Sequence, residues 1–474
     1  MLQTLKNAWR TKDIRSKLLF TLFILLLYRI GTVIPVPFVD AHDFAGSFSG
    51  TILDYLNLLS GGSLGQATLF ALGVSPYINS SIIIQLLAVV FPKLGELAKT
   101  DKKKMGLITR ITTVILAVIT AVGYYFLLAD SALAPAATNG QGKLFWFYGI
   151  VIVVCYVAGA SLVMWLADRI NEHGIGNGVS MILFANIVTA LPNQCITMYG
   201  LVRGTFAYSK DNMALYIGYI ALSILFVLFL AAIVLAMTMF VIFITGSERR
   251  IPVQYAKRVV GRKMYGGQSS NLPIKLNMTG VMPVIFASSI VSLLPTILML
   301  CGVDGQPDTT GAKLKFWDRL YNFIGSDGFV YPLVFFILII GFAYFYTQIT
   351  FDPVDVANNL KKQGGAIPGI RQGRPTSDYI KKILNKITLA GALFLSVVAV
   401  LPVIAGPHVI QHIVEWILSG NSYYQAATVE AYAKSYSSIF TFGGTSLIIV
   451  VGVALETFRE LEAQLTMRNY KGFL

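Results

Sequence analysis

The chain has 474 residues, of which 55% are hydrophobic and 13% charged, with a formal net charge of +14. Ordinary soluble domains carry about 25% charged residues, and the mean hydropathy here is +0.68, which excludes a water-soluble globular enzyme and indicates an integral membrane protein. Apolar runs of about 17 to 25 residues, long enough to cross a hydrocarbon core of roughly 30 Å, recur along the chain without dominant period-two alternation, so helices rather than a barrel satisfy the backbone.

In chain order, the first span is expected at about 18 to 34, behind the cations Lys6, Arg10, Lys12, Arg15 and Lys17. Its flanks resemble those of a signal peptide. No small-residue cleavage site follows Pro35 and Pro37, however, and nine more spans come after, so it is read as retained. Arg29, near its outer end, is the clear charge within the spans and is expected to snorkel or bond a loop carbonyl. The next stretch, NLLSGGSLGQATLFALGVSPYINSSIIIQLL (Asn57 to Leu87), is too rich in Gly, Ser and Asn in its first half to cross a membrane. The second span is therefore expected only at about 74 to 91. Hydropathy places the others at about 107 to 129, 146 to 166, 179 to 191, 214 to 244, 279 to 301, 330 to 351, 385 to 404 and 443 to 459. Ten spans put both termini on one side. Most of the 37 lysines and arginines share that side, so both termini are expected in the cytoplasm.

Residues 73 to 87, GVSPYINSSIIIQLL, repeat at 280 to 294 as GVMPVIFASSIVSLL, each within the second span of a group of five. Five is odd, so two such halves, 1–205 and 206–474, are inverted, a plan recurrent in membrane proteins that move a cargo. The segment 192 to 214 is the expected external hinge. Gln85 and Asn186 are the notable intramembrane amides and suit interhelical hydrogen bonds. No phosphate-binding loop, HExxH or GxSxG sequence occurs, which argues against an enzyme and places any energy source outside the chain. Cys155, Cys195 and Cys301 lack metal or redox spacing, and His408, His412 and Glu415 form an incomplete zinc set.

Two basic loops, about 246 to 278 and 352 to 384, are longer than topology requires and interleave cations with Val, Tyr and Ile. Arg249, Arg250, Lys257, Arg258, Arg262, Lys263, Arg371 and Arg374 suit docking onto a nucleic-acid backbone or an acidic protein.

The segments YRIGTVIPVP (Tyr28 to Pro37), WLADRINEHGIGNGVS (Trp165 to Ser180), ERRIPVQYAKR (Glu248 to Arg258), DVANNLKKQGGAIPGIR (Asp355 to Arg371) and FGGTSL (Phe442 to Leu447), with the two repeats, closely resemble the SecY family, the channel subunits of the bacterial Sec translocon. The resemblance implies an all-α, ten-span channel that passes unfolded secretory polypeptides and releases transmembrane segments sideways into lipid. It implies a re-entrant plug helix at about 55 to 72, swinging on Gly61, Gly62, Gly65 and Gly73, and a pore ring of Ile78, Ile82, Leu183, Ile187, Ile285 and Ile449. It also implies a lateral gate between the second and third spans and the seventh and eighth. No cofactor is implied. The implied partners are SecE, SecG, the SecA motor, the ribosome, secretory and membrane protein clients and membrane lipids. Two departures are Gln372, where the family usually has proline, and a long outer segment at 406 to 441. The alternative reading, from the inverted repeat alone, is a secondary transporter of small solutes; its intramembrane carboxylates or polar pocket are not evident.

Overall fold

The computed structural model describes residues 2–39, 57, 60–131, 143–206, 213–255, 258–260, 263–265, 269–300, 330–419 and 426–471. Two short basic-side helices frame the start and the first turn: α1 (Leu2–Arg10) leads into α2 (Lys12–Gly31), and α4 (Pro92–Thr100) is bent by 117° from α3 (Ser75–Val90). Long helices follow: α5 (Lys102–Ser131), α6 (Lys143–His173), α7 (Gly178–Phe206) and α8 (Met213–Gly246). After the first basic segment come α9 (Met282–Leu300), α10 (Val330–Thr350) and α11 (Pro353–Lys362). The last third comprises α12 (Arg374–Ala405), a π-helical turn (Gly406–Ile410), α13 (Gln411–Ser419) and α14 (Ala426–Lys471).

Each of the ten expected spans lies on one of these helices. Among the described residues, five helices are long and apolar enough to cross a membrane, six if the bent pair α3–α4 counts as one. Their outward faces remain apolar and exposed, as at Leu225, Leu228 and Phe243 of α8, which suits contact with lipid rather than water.

Several boundaries differ from the sequence reading. The expected hinge at 192 begins inside α7, which runs through Pro192 to Phe206. A proline removes one backbone bond and kinks a helix but does not end it where the flanking residues are good helix formers. Arg374 is the first residue of α12 rather than part of a loop, and the outer segment 406 to 441 is largely helical.

The first basic segment is a β ribbon, not a loop. β1 (Glu248–Tyr255) pairs antiparallel with β4 (Ser269–Lys275), from Glu248 opposite Lys275 to Gln254 opposite Ser269, and its far end pairs with β5 (Gly365–Ala366) of the second segment. β2 (Arg258–Val260) and β3 (Lys263–Tyr265) form the hairpin between them. The cause is period-two burial: Ile251 and Val253 point inward while Arg250, Pro252 and Gln254 face out. Ile251, Val253 and Ile274 pack with Leu360, Ile367, Ile380 and Leu384, so both basic segments share one small core.

Candidate functional site

The two sequence repeats build the same local structure. Gly73 (φ +53°) and Gly280 (φ +64°) each stand two residues ahead of a helix in the left-handed region that a Cβ disfavours. Pro76 and Pro283 each take the second helical position, where a missing N–H costs no intrahelical bond. Ile78 and Ile285 are consequently both the fourth residue of their helices. Ile82 follows one turn later on α3, Leu183 and Ile187 share a face of α7, and Ile449 lies on α14. All six are at most 4% exposed and belong to one buried cluster with Phe70 from the segment ahead of α3.

The described part of the expected plug, 60 to 72, is a run of turns rather than a helix; of 55 to 59, only Asn57 is described. Gly61 (φ +70°), Gly62 (φ +87°) and Gly73 are left-handed, and Gly65 is not among them. The Asn57 side chain holds the turn by accepting the Gly65 N–H at 2.8 Å, while Ser60 Oγ accepts the Leu64 N–H at 3.1 Å.

Four surrounding elements seat this segment. The exit of α2 lies alongside it, with Leu69 N–H donating to the Ile34 carbonyl and Val36 N–H to the Ala67 carbonyl. Tyr28 stacks on Phe70 with ring centroids 5.5 Å apart. From α5, the Tyr124 hydroxyl donates to the Leu64 carbonyl. On α6, the Leu69 carbonyl lies 1.9 Å from where a Cβ at position 159 would stand, an approach only Gly159 permits. From α7, Asn186 Nδ2 donates to the Tyr28 hydroxyl at 2.9 Å. Arg29, half-buried, has its Nη1 buried without a hydrogen-bond partner among the described residues.

Gln85 bonds between helices, accepting from the Tyr346 hydroxyl of α10 at 2.5 Å and donating to Ser81 Oγ at 2.9 Å. Beside this bond Phe286 of α9 packs on Tyr346 and Phe342, at 5.0 and 6.2 Å between centroids. α3 and α5 thus meet the α9–α10 pair along a seam bridged by the Gln85–Tyr346 bond, with the aromatic rings packing α9 on α10 on one side of it.

On the basic side, Arg249, Arg250, Arg371 and Arg374 are exposed, with Arg250 paired to Glu248 at 2.7 Å. Arg258 and Lys263 lie on the β2–β3 hairpin by backbone alone, and Lys257 and Arg262 lie outside the described residues. Gln372 Nε2 donates to the Gly365 carbonyl at 3.1 Å, tying the second segment to the strand it adds to the ribbon. The motif WLADRINEHGIGNGVS forms the turn between α6 and α7. Asp168 pairs with Arg110 at 2.7 Å, Asn171 Oδ1 accepts the Gly178 N–H, and Glu460 of α14 accepts the Gly176 N–H. His412 meets Glu415 at 3.4 Å, and the His408 side chain lies outside the described residues.

The sequence reading missed Tyr28, Phe70, Tyr124, Gly159 and Tyr346. Tyr28 and Phe70 sit inside quoted motifs, yet nothing in their spacing announces that they stack.

A sequence model of the SecY family matches residues 68–458. The protein translocase subunit SecY of Streptomyces galbus is 39% identical over 490 residues, and that of Mycobacterium tuberculosis 38% over 493, each covering 100% of both chains. Among solved structures, a protein-conducting channel superposes with a TM-score of 0.57 at 16% identity, covering 95% of this chain and 92% of that one. Sec61 in a canine ribosome–channel complex from the endoplasmic reticulum gives 0.54 at 15% identity with the same coverage. A helical fold with this plug seat, this seam and full-length identity well above what fold alone imposes leads to one assignment: the chain belongs to the SecY family.

Proposed function

We propose that this chain is the protein-conducting channel of a membrane translocase, passing unfolded polypeptides through a ring of Ile78, Ile82, Leu183, Ile187, Ile285 and Ile449. The observation that carries the reading is the burial of all six, from four helices, in one core cluster that also holds Phe70. Aliphatic groups give a dehydrating ion no ligands yet part around any side chain, which suits a cargo of arbitrary sequence. The segment at about 55 to 72 is the plug, swinging on Gly61, Gly62, Gly65 and Gly73, and the seam bridged by Gln85 and Tyr346 is the lateral exit into lipid.

The halves are 1–205 and 206–474, with ten spans and both termini in the cytoplasm. There the ribbon and the second basic segment dock partners through Arg249, Arg250, Lys257, Arg258, Arg262, Lys263, Arg371 and Arg374. A ribosome is one such partner, in line with the canine Sec61 complex; SecA is the other, and SecE and SecG complete the channel. The chain itself carries no catalytic role.

A photo-crosslinking residue at Ile187 tests the reading in membranes holding an arrested secretory chain. Crosslinks are expected from Ile187 and not from Ile119, an exposed position of α5. Equal labelling from both, or none from Ile187, overturns the pore assignment.

A further inference from the structure

The plug meets one charged side chain in its seat, and the contact is tight. A Cβ on Gly61 would stand 2.8 Å from Arg29 Nη1 and 2.9 Å from Asn186 Oδ1, so the guanidinium and the amide flank the glycine, and a larger residue would push them aside while holding a left-handed backbone (φ +70°) that a Cβ disfavours. Asn186 is 0% exposed and is itself fixed through Tyr28. Arg29 Nη1 is buried with no partner among the described residues. A buried N–H without an acceptor costs free energy, more so when it carries charge, and the cost vanishes once water reaches it.

We propose that Arg29 is a positioning residue that sets the threshold of channel opening: it is a spring, loaded when the plug is seated over Gly61 and relaxed when the plug leaves. The inference rests on the reading of 55 to 72 as the plug. A seated plug shields Nη1 of the half-buried guanidinium, whereas a displaced plug leaves that nitrogen facing the outer vestibule, so Arg29 lowers the work of opening without touching the passing chain. Gly61 is the matching half of the device, because its absent side chain is what lets the loaded state form at all.

The test uses the full channel with its partner subunits in planar bilayers, reading spontaneous ion openings, beside export of a reporter with a weakened signal sequence. Arg29→Met keeps much of the length of the side chain and removes the charge together with the buried, partnerless Nη1. It is expected to reduce openings about tenfold and to lower export of the weak-signal reporter while sparing a strong-signal one. Arg29→Gln should fall between, and carries the test if the methionine variant fails to accumulate. Gly61→Ala, which forces the seat apart, should increase openings. If Arg29→Met or Arg29→Gln opens as often as the intact channel, or more often, Arg29 does not load the closed state and the proposal falls.

The same variants in a channel lacking residues 58 to 70 separate this idea from the one beneath it. With no plug to load the spring, Arg29→Met should then have no effect. An equal effect with and without the plug overturns the spring. A plug deletion that leaves conductance unchanged overturns the plug assignment instead.

Discussion

An ion entering the proposed aliphatic ring would lose its water and gain no oxygen in return, so that ring is expected to seal by dewetting rather than by charge. Ile285 and Ile449 are 4% and 1% exposed in the closed cluster. Replacing either with asparagine places an amide where water and ions can be held. Such channels are expected to open to ions several-fold more often and to export weak-signal reporters more readily, in single-channel and export assays run side by side. The controls belong on the outward face of α9, at Leu293 or Ile297, 37% and 47% exposed. Val291, which hydropathy alone offers as a lipid-facing position, is buried in the same cluster and cannot serve. Ring and control asparagines behaving alike would reduce these residues to packing. The matching placement of Ile78 and Ile285 was legible because motif and repeat fix both at one helical position. The Tyr28–Phe70 stack was not, since it joins residues 42 apart whose approach depends on the path of an irregular segment.

Elements tell the same story with different failures. The long apolar helices were readable from hydropathy, because burial in lipid and burial in protein both demand the same side chains. The β ribbon was hidden by its own cations: Ile251 and Val253 alternate as a half-buried strand should, but only over five positions, 250 to 254, and its partner β4 lies beyond a hairpin. That ribbon holds Arg249 and Arg250 outward on a rigid element, so reversing both to glutamate is expected to weaken ribosome or SecA binding at least tenfold with normal membrane insertion. Binding assays at low and moderate salt check it, and unchanged affinity at both would defeat the docking role. The plug poses the opposite case, an element with little regular structure. Residues 60 to 72 are held by a few hydrogen bonds, one stack and the close approach at Gly159. Removing 58 to 70 should leave a folded channel, judged by membrane abundance and resistance to proteolysis, with more frequent ion openings. Loss of folding would make the segment a structural member of the bundle.

At the scale of the whole molecule, the proposed lateral exit requires that the two bundles be joined weakly where they would part. The seam fits that requirement: α3 and α10 are joined across it by the bond between Gln85 and the Tyr346 hydroxyl, with Phe286 packed alongside. The sequence announced Gln85 as an amide seeking an interhelical partner but gave no means of finding Tyr346, 261 positions away in a different half. A single neutral hydrogen bond contributes about 0.5 to 1.5 kcal/mol, enough to shift a two-state seam about two- to tenfold without locking it. Tyr346→Phe deletes the donor and keeps the ring against Phe286, so the closed seam should weaken by that amount while the plug seat is untouched. Segments of graded hydrophobicity, scored for insertion into lipid against passage through the channel, report the change: the midpoint is expected to move toward less apolar segments. Gln85→Leu should move it similarly, and the double substitution no further, because both remove the same contact. An unmoved midpoint, or two fully additive shifts, would mean that Gln85 and Tyr346 act separately and that the lateral exit is closed by something other than their bond.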